Sequence, residues 1–185
     1  MSFKFSKLGE FFLKNWQTYE ELTRSEKRIR KEFNDYLFSL EGILKKKAWW
    51  TRNMEFVAED AESVYISRRD WGDDEGYVIW IGVEGFTPEN LLSGPKRAEC
   101  FLYVPGKKRA RVKIREDLRK KCEASGRFKS ALELAENFTE YVLVKELRTY
   151  SPETLFKGAR NSDPLTEVTK FIESVYNIIR PYKIK

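Results

Sequence analysis

Between Val64 and Val104 the chain alternates β-branched and aromatic runs with glycine, proline and acidic turns, and no other stretch limits the fold as much. Its first run is Val64-Tyr65-Ile66-Ser67-Arg68-Arg69-Asp70-Trp71 and its second Tyr77-Val78-Ile79-Trp80-Ile81-Gly82-Val83. Residues of these types fit a pleated, half-buried surface. The connection Gly72-Asp73-Asp74-Glu75-Gly76 has the glycines and acids of a hairpin loop longer than two residues. In the second run Tyr77, Ile79, Ile81 and Val83 share one face while Val78 and Trp80 share the other. Apolar groups on both sides predict a central strand with helices over at least part of each face.

Outside this block the periodicity changes. From Leu8 to Leu44 apolar residues recur at helical spacing: Phe12, Trp16, Tyr19 and Leu22, then Ile29, Phe33, Tyr36/Leu37, Leu40 and Ile43/Leu44. Thr23-Arg24-Ser25-Glu26 between the two sets fits a capping box, which predicts two helices or one broken helix, with the aromatic stripe turned into the core. Ala48 to Thr51 with Met54 to Val57 reads as a first strand with aromatic anchors, Ala98 to Val104 as a fourth ending at Pro105-Gly106, and Tyr141 to about Tyr150 as a late one. Thr87-Pro88 opens a short helical turn. Val112 to Ala124, with Gly126 beyond it, reads as a basic amphipathic helix that Phe128 to Leu134 extends. Ser151-Pro152 and Asp163-Pro164 start two more helices, the second ending at Pro181.

The predicted fold is α+β: an antiparallel sheet of about five strands, four in a meander and one late, with N-terminal and C-terminal helices packed on it. In 185 residues there is no repeat, low-complexity tract or long linker. One domain over 1–185 is therefore expected, comprising a helical arm (1–47), the sheet with its basic helix (48–150) and C-terminal helices (151–185).

The chain contains no histidine. Ser-His-Asp and Cys-His catalysis are excluded within it, as are zinc sites that use imidazole. Cys100 and Cys122 have neither metal-ligand spacing nor a disulfide framework and are read as reduced, structural thiols. No apolar run approaches the roughly 20 residues that span a bilayer, and Met1 to Lys7 lacks the apolar core of a secretory leader, so a cytoplasmic protein with no membrane partner is expected. The acids Asp70, Asp73, Asp74 and Glu75 do not fit a calcium loop and are read as a solvated turn; Glu55, Glu59, Asp60, Glu62 and Glu84 are read as surface carboxylates. No catalytic residue, metal or cofactor is assigned.

The order helix, three strands, helix, strand is similar to the core of the PD-(D/E)XK nucleases, which set an acid and an E-x-K or D-x-K tripeptide around magnesium. No Glu or Asp of this chain is followed two residues later by Lys, so that family's lysine has no counterpart. The stretch from Phe101 to Val112 resembles the strand, loop and helix start with which GNAT acyltransferases cradle a pyrophosphate. Of their R/Q-x-x-G-x-G/A pattern it keeps Arg109 but has Val112 at the first glycine.

The remaining functional signal is charge. Net charge is +6, yet Lys96 to Lys129 alone holds thirteen Lys and Arg against four acids. Lys107, Lys108, Arg109, Arg111, Lys113 and Arg115 fall within nine positions, with Arg119 beyond. On a loop or strand Arg109, Arg111, Lys113 and Arg115 would share one face, suited to phosphates, with Trp71, Phe101 or Tyr103 stacking on unpaired bases. The leading expectation is a small binding or accessory protein that engages nucleic acid or another polyanion there. A protein-interaction module, inhibitor or homodimer acting through the aromatic helices or a sheet edge is the first alternative, and an acyltransferase-like or metal-dependent enzyme the second.

Overall fold

Ser39, not Thr23, divides the N-terminal helical segment. In the computed structural model, which describes residues 7, 11, 14–92, 94, 96–152 and 163–184, helix α1 (Trp16–Phe38) runs unbroken through Thr23 and α2 (Leu40–Lys45) follows at once. Thr23 caps nothing: its hydroxyl donates back to the Tyr19 carbonyl at 2.9 Å, the usual bond of a threonine inside a helix. The turn at Ser39 lets Leu37, Leu40 and Leu44 all enter the core fully buried. The aromatic stripe is core only at this end. Phe11, Trp16, Tyr19, Leu22 and Ile29 stand 47–65% exposed, contrary to the sequence expectation, and Phe12 lies outside the described residues.

The strands that follow are β1 (Met54–Ala58), β2 (Val64–Arg68), the two-residue pair β3 (Gly72–Asp73) and β4 (Gly76–Tyr77), β5 (Trp80–Glu84), β6 (Glu99–Tyr103) and β7 (Tyr141–Glu146). Five of them form one antiparallel sheet in the order β1-β2-β5-β6-β7. This is the predicted α+β meander with a late strand beside its last member. The run expected from Val64 to Trp71 stops at Arg68 because Arg69–Trp71 forms a 3-10 turn that swings Trp71 inward.

Helix α3 (Pro88–Leu92) bridges β5 to β6, and α4 (Arg109–Ala124) with α5 (Lys129–Ala135) carries the chain from β6 to β7. Helix α6 (Pro164–Ile179) has the predicted start: Asp163 accepts the Thr166 amide at 3.0 Å, with Pro164 in the first turn. Asp163 also accepts the Tyr36 hydroxyl at 2.9 Å, tying α6 to α1. The helix expected from Ser151-Pro152 lies outside the described residues beyond Pro152. Among the described residues no helix is long and apolar enough to cross a membrane.

Strand register gives the sheet two unlike faces. Val64, Ile66, Ile81, Val83, Cys100, Leu102 and Leu143 point to one side and form the core with Ile114, Leu118 and Cys122 of α4 and with Val168, Ile172, Val175 and Ile179 of α6. Tyr65, Phe101 and Val144 point to the other side and are absent from that core although buried.

Trp71 is a post of the core. It is fully buried, its ring lies 5.9 Å from that of Tyr176, and its indole N–H donates to the Tyr182 carbonyl at 3.0 Å. It therefore cannot stack on a base, as the sequence suggested, without leaving the fold.

Candidate functional site

Lys107 and Lys108 lie in the loop before α4, and the helix itself starts at Arg109, so the cationic run turns about 100° per residue instead of alternating. Arg109 and Lys113 project into solvent, while Arg111 and Arg115 lie on the inward side. The single face expected of Arg109, Arg111, Lys113 and Arg115 does not form. Arg111, 7% exposed, holds Asp73 at 2.7 Å with Glu75 at 3.8 Å, and Lys108 pairs with Glu75. Arg115 donates to the carbonyls of Val104 and Gly106, both at 2.7 Å. Arg119 donates to the Leu132 carbonyl at 3.1 Å and lies within 4.0 Å of Glu123 and Glu136. The acidic hairpin read as a solvated turn is thus the countercharge that seats the start of α4.

Between Lys107 and Lys129 the cations left without an ion pair among the described residues are Lys107, Arg109, Lys113, Lys120, Lys121, Arg127 and Lys129, all exposed. The last two border a hollow of about 370 Å³ between α5 and α6, together with Lys145, Lys170, Ser130 and Ser174. The rings of Phe128 and Phe171, edge to face at 6.0 Å, also line it. Lys145 is held by Glu167 at 2.8 Å, which leaves Arg127, Lys129 and Lys170 to meet an anion. Arg127 and Lys129 close the basic segment in the sequence, but Lys145 and Lys170 come from β7 and α6, and nothing local announces that they converge.

The other candidate surface is the sheet face away from these helices. Tyr65 and Trp80 stack at 4.3 Å, nearly parallel; Trp80 meets Tyr103 at 5.4 Å, Tyr103 meets Tyr141 at 4.8 Å, and Phe101 touches both tyrosines. Trp80, expected to lie under a helix, is covered by other rings of its own face. Phe101 is buried in this ladder and Tyr103 half-buried, on the side of the sheet opposite α4. The two remaining stacking candidates and the basic helix therefore do not form one site.

Carboxylates frame the ladder. Tyr103 donates to Glu140 at 2.6 Å and the Gly106 amide donates to the same group at 2.9 Å, which holds Glu140 below its ordinary range. Tyr141 donates to Glu84 at 3.0 Å, yet burial outweighs that bond and, with Glu59 and Asp60 near, raises the Glu84 pKa. Burial, then Glu84 and Glu146, raise that of Glu99. A carboxyl raised on folding contributes stability that is complete below the ordinary range, about pH 4, and is lost as pH rises through the raised value. Glu99→Gln, neutral at every pH, should therefore unfold at a higher temperature than wild type at pH 7, with the gain closing toward about pH 4. Equal melting curves at pH 7 would refute this. Cys100 and Cys122 are both buried and free; burial pushes the Cys122 thiol up to about 12 and raises Cys100 as well, so both stay protonated and inert.

Comparison with known protein families, with curated proteins and with solved structures gives no match for this chain.

Proposed function

We propose that this is a polyanion-binding accessory protein that takes the phosphate backbone of a nucleic acid along the outward side of α4 and into the hollow between α5 and α6. The observation that carries this reading is the convergence of Arg127, Lys129 and Lys170, without ion pairs of their own among the described residues, around a hollow that also offers Ser130 and Ser174 hydroxyls. Lysine and arginine here meet phosphate as charges and donors, which supplies affinity and register with little base specificity. The buried Arg111 and the half-buried Arg115 and Arg119 act beneath this surface by holding α4 in place.

Fluorescence anisotropy with labelled duplex DNA over about 50–200 mM salt tests it. Wild-type affinity should fall linearly in log-log form, by about 0.9 per phosphate neutralised. Changing Lys113, Arg127, Lys129 and Lys170 together to Ala should lower affinity about a hundredfold at the low-salt end and flatten the slope. Arg111 is left intact, because its loss would strand Asp73. Unchanged affinity and slope in the fourfold variant would sink the proposal.

A second reading, a protein-interaction module, is favoured by one observation: the exposed apolar side of α1 at Trp16, Tyr19, Leu22 and Ile29.

A further inference from the structure

Neighbouring strands usually set opposite charges or apolar pairs against each other, yet the ring-bearing face places three glutamates in a row. Glu84 and Glu99 are direct partners across β5 and β6, and Glu99 and Glu146 across β6 and β7. Like charges in direct register destabilise a sheet. Neither Glu84 nor Glu99 has a Lys or Arg partner among the described residues, and no group of acids there is arranged to hold a metal ion. Local rules broken without internal compensation point to a binding surface.

The chain itself shows which group suits a ring beside a carboxylate. The Arg68 guanidinium sits 5.0 Å above the Trp71 ring while it forks onto Asp70. The Arg148 guanidinium sits 4.9 Å above the Tyr150 ring and 3.9 Å from Glu167. At the sheet face Tyr141 adjoins Glu84, and Trp80 lies on the same side of the same strand, but among the described residues no guanidinium pairs with that carboxylate.

We propose that this face docks an extended, arginine-rich segment of a protein partner, with guanidinium groups laid against Trp80, Tyr103 and Tyr141 and paired with Glu84 and Glu99. Arginine fits better than lysine because a planar guanidinium stacks on a ring and forks onto a carboxylate at once. From Trp80 to Glu84 the strand advances roughly 13 Å, which two or three alternate side chains of an extended segment span. This surface is distinct from the hollow between α5 and α6 and does not depend on the polyanion reading, although Tyr141 at its edge shares a smaller hollow with Val112, Arg115 and Arg119 of α4.

The test titrates fluorescein-labelled nona-arginine and nona-lysine into the full chain, without nucleic acid. Wild type should bind nona-arginine at least about fivefold more tightly than nona-lysine. Glu84→Gln with Glu99→Gln should weaken nona-arginine binding about tenfold, even though it relieves repulsion in the free protein and so stabilises it. Trp80→Ala should narrow the preference for arginine. The Ala variant at Lys113, Arg127, Lys129 and Lys170 should bind the peptide no worse than wild type, which separates this surface from the polyanion site. Equal affinity for the two peptides, or full affinity in the double Gln variant, overturns the proposal.

Discussion

Gly82→Ala should lose about 3 kcal/mol of folding stability, the upper end of what overpacking costs. Gly82 sits opposite Tyr65 in the middle of the sheet, and a Cβ there would fall 2.2 Å from the Val64 carbonyl oxygen, 2.7 Å from the Tyr65 Cβ and 2.8 Å from its Cα. The nearest obstacle is backbone in the ladder that joins β2 to β5, so no side-chain rotation relieves it. The two strands must separate, and Tyr65 must leave the stack it makes with Trp80. Urea unfolding should show a lower midpoint at an unchanged slope, the mark of lost stability without a changed unfolded state. A loss below about 0.5 kcal/mol, the range of neutral surface changes, would show that the sheet has room this geometry denies.

Arg68→Met should lose a comparable amount, about 2–4 kcal/mol, and should loosen the C-terminal residues first. The Arg68 side chain is 10% exposed, forks onto Asp70 and donates to the Arg180 carbonyl at 2.6 Å. Methionine keeps most of the packing over Trp71 but leaves Asp70 without its partner and the Arg180 carbonyl without its donor. The same corner holds the tail twice more: Trp71 donates to Tyr182, and the Ile184 amide donates to the Asp70 carbonyl at 3.1 Å. Limited chymotryptic digestion should therefore cut after Tyr182 in Arg68→Met under conditions that spare wild type. Asp70→Asn should be milder, because the Asp70 side chain is 30% exposed and water can serve the guanidinium in its place. If Asp70→Asn costs as much as Arg68→Met, the Arg180 bond contributes nothing.

The sheet was legible because its evidence is local. Alternation in Val64 to Arg68 and in Ala98 to Val104, bounded by glycine and proline, carries strand identity within a few residues, as Asp163-Pro164 carries a helix start. Thr23-Arg24-Ser25-Glu26 misled because the same residues serve inside a helix when apolar positions continue on both sides, and here Leu37, Leu40 and Leu44 put the turn at Ser39 instead. The cationic site was half legible: the charges were visible, but their directions depend on whether the run begins as loop or helix, and Arg109 is already helical. Asp73 with Arg111, Lys145 with Glu167 and the row Glu84, Glu99, Glu146 are products of strand register and helix packing, which bring together partners 15 to 47 positions apart that no short motif links.

The sheet also has a meaning as a partition. A pleated layer with helices on one side is roughly 10 Å thick and poor in mobile charge, about one Debye length at physiological salt. The unpaired cations Arg127, Lys129 and Lys170 stand on the helical side, and the row Glu84, Glu99 and Glu146 stands on the ring-bearing side. Under the two proposals above, polymers of opposite charge, which in free solution would collapse onto each other, would each be held at its own surface with the hydrocarbon of Ile81, Leu102 and Val175 between them.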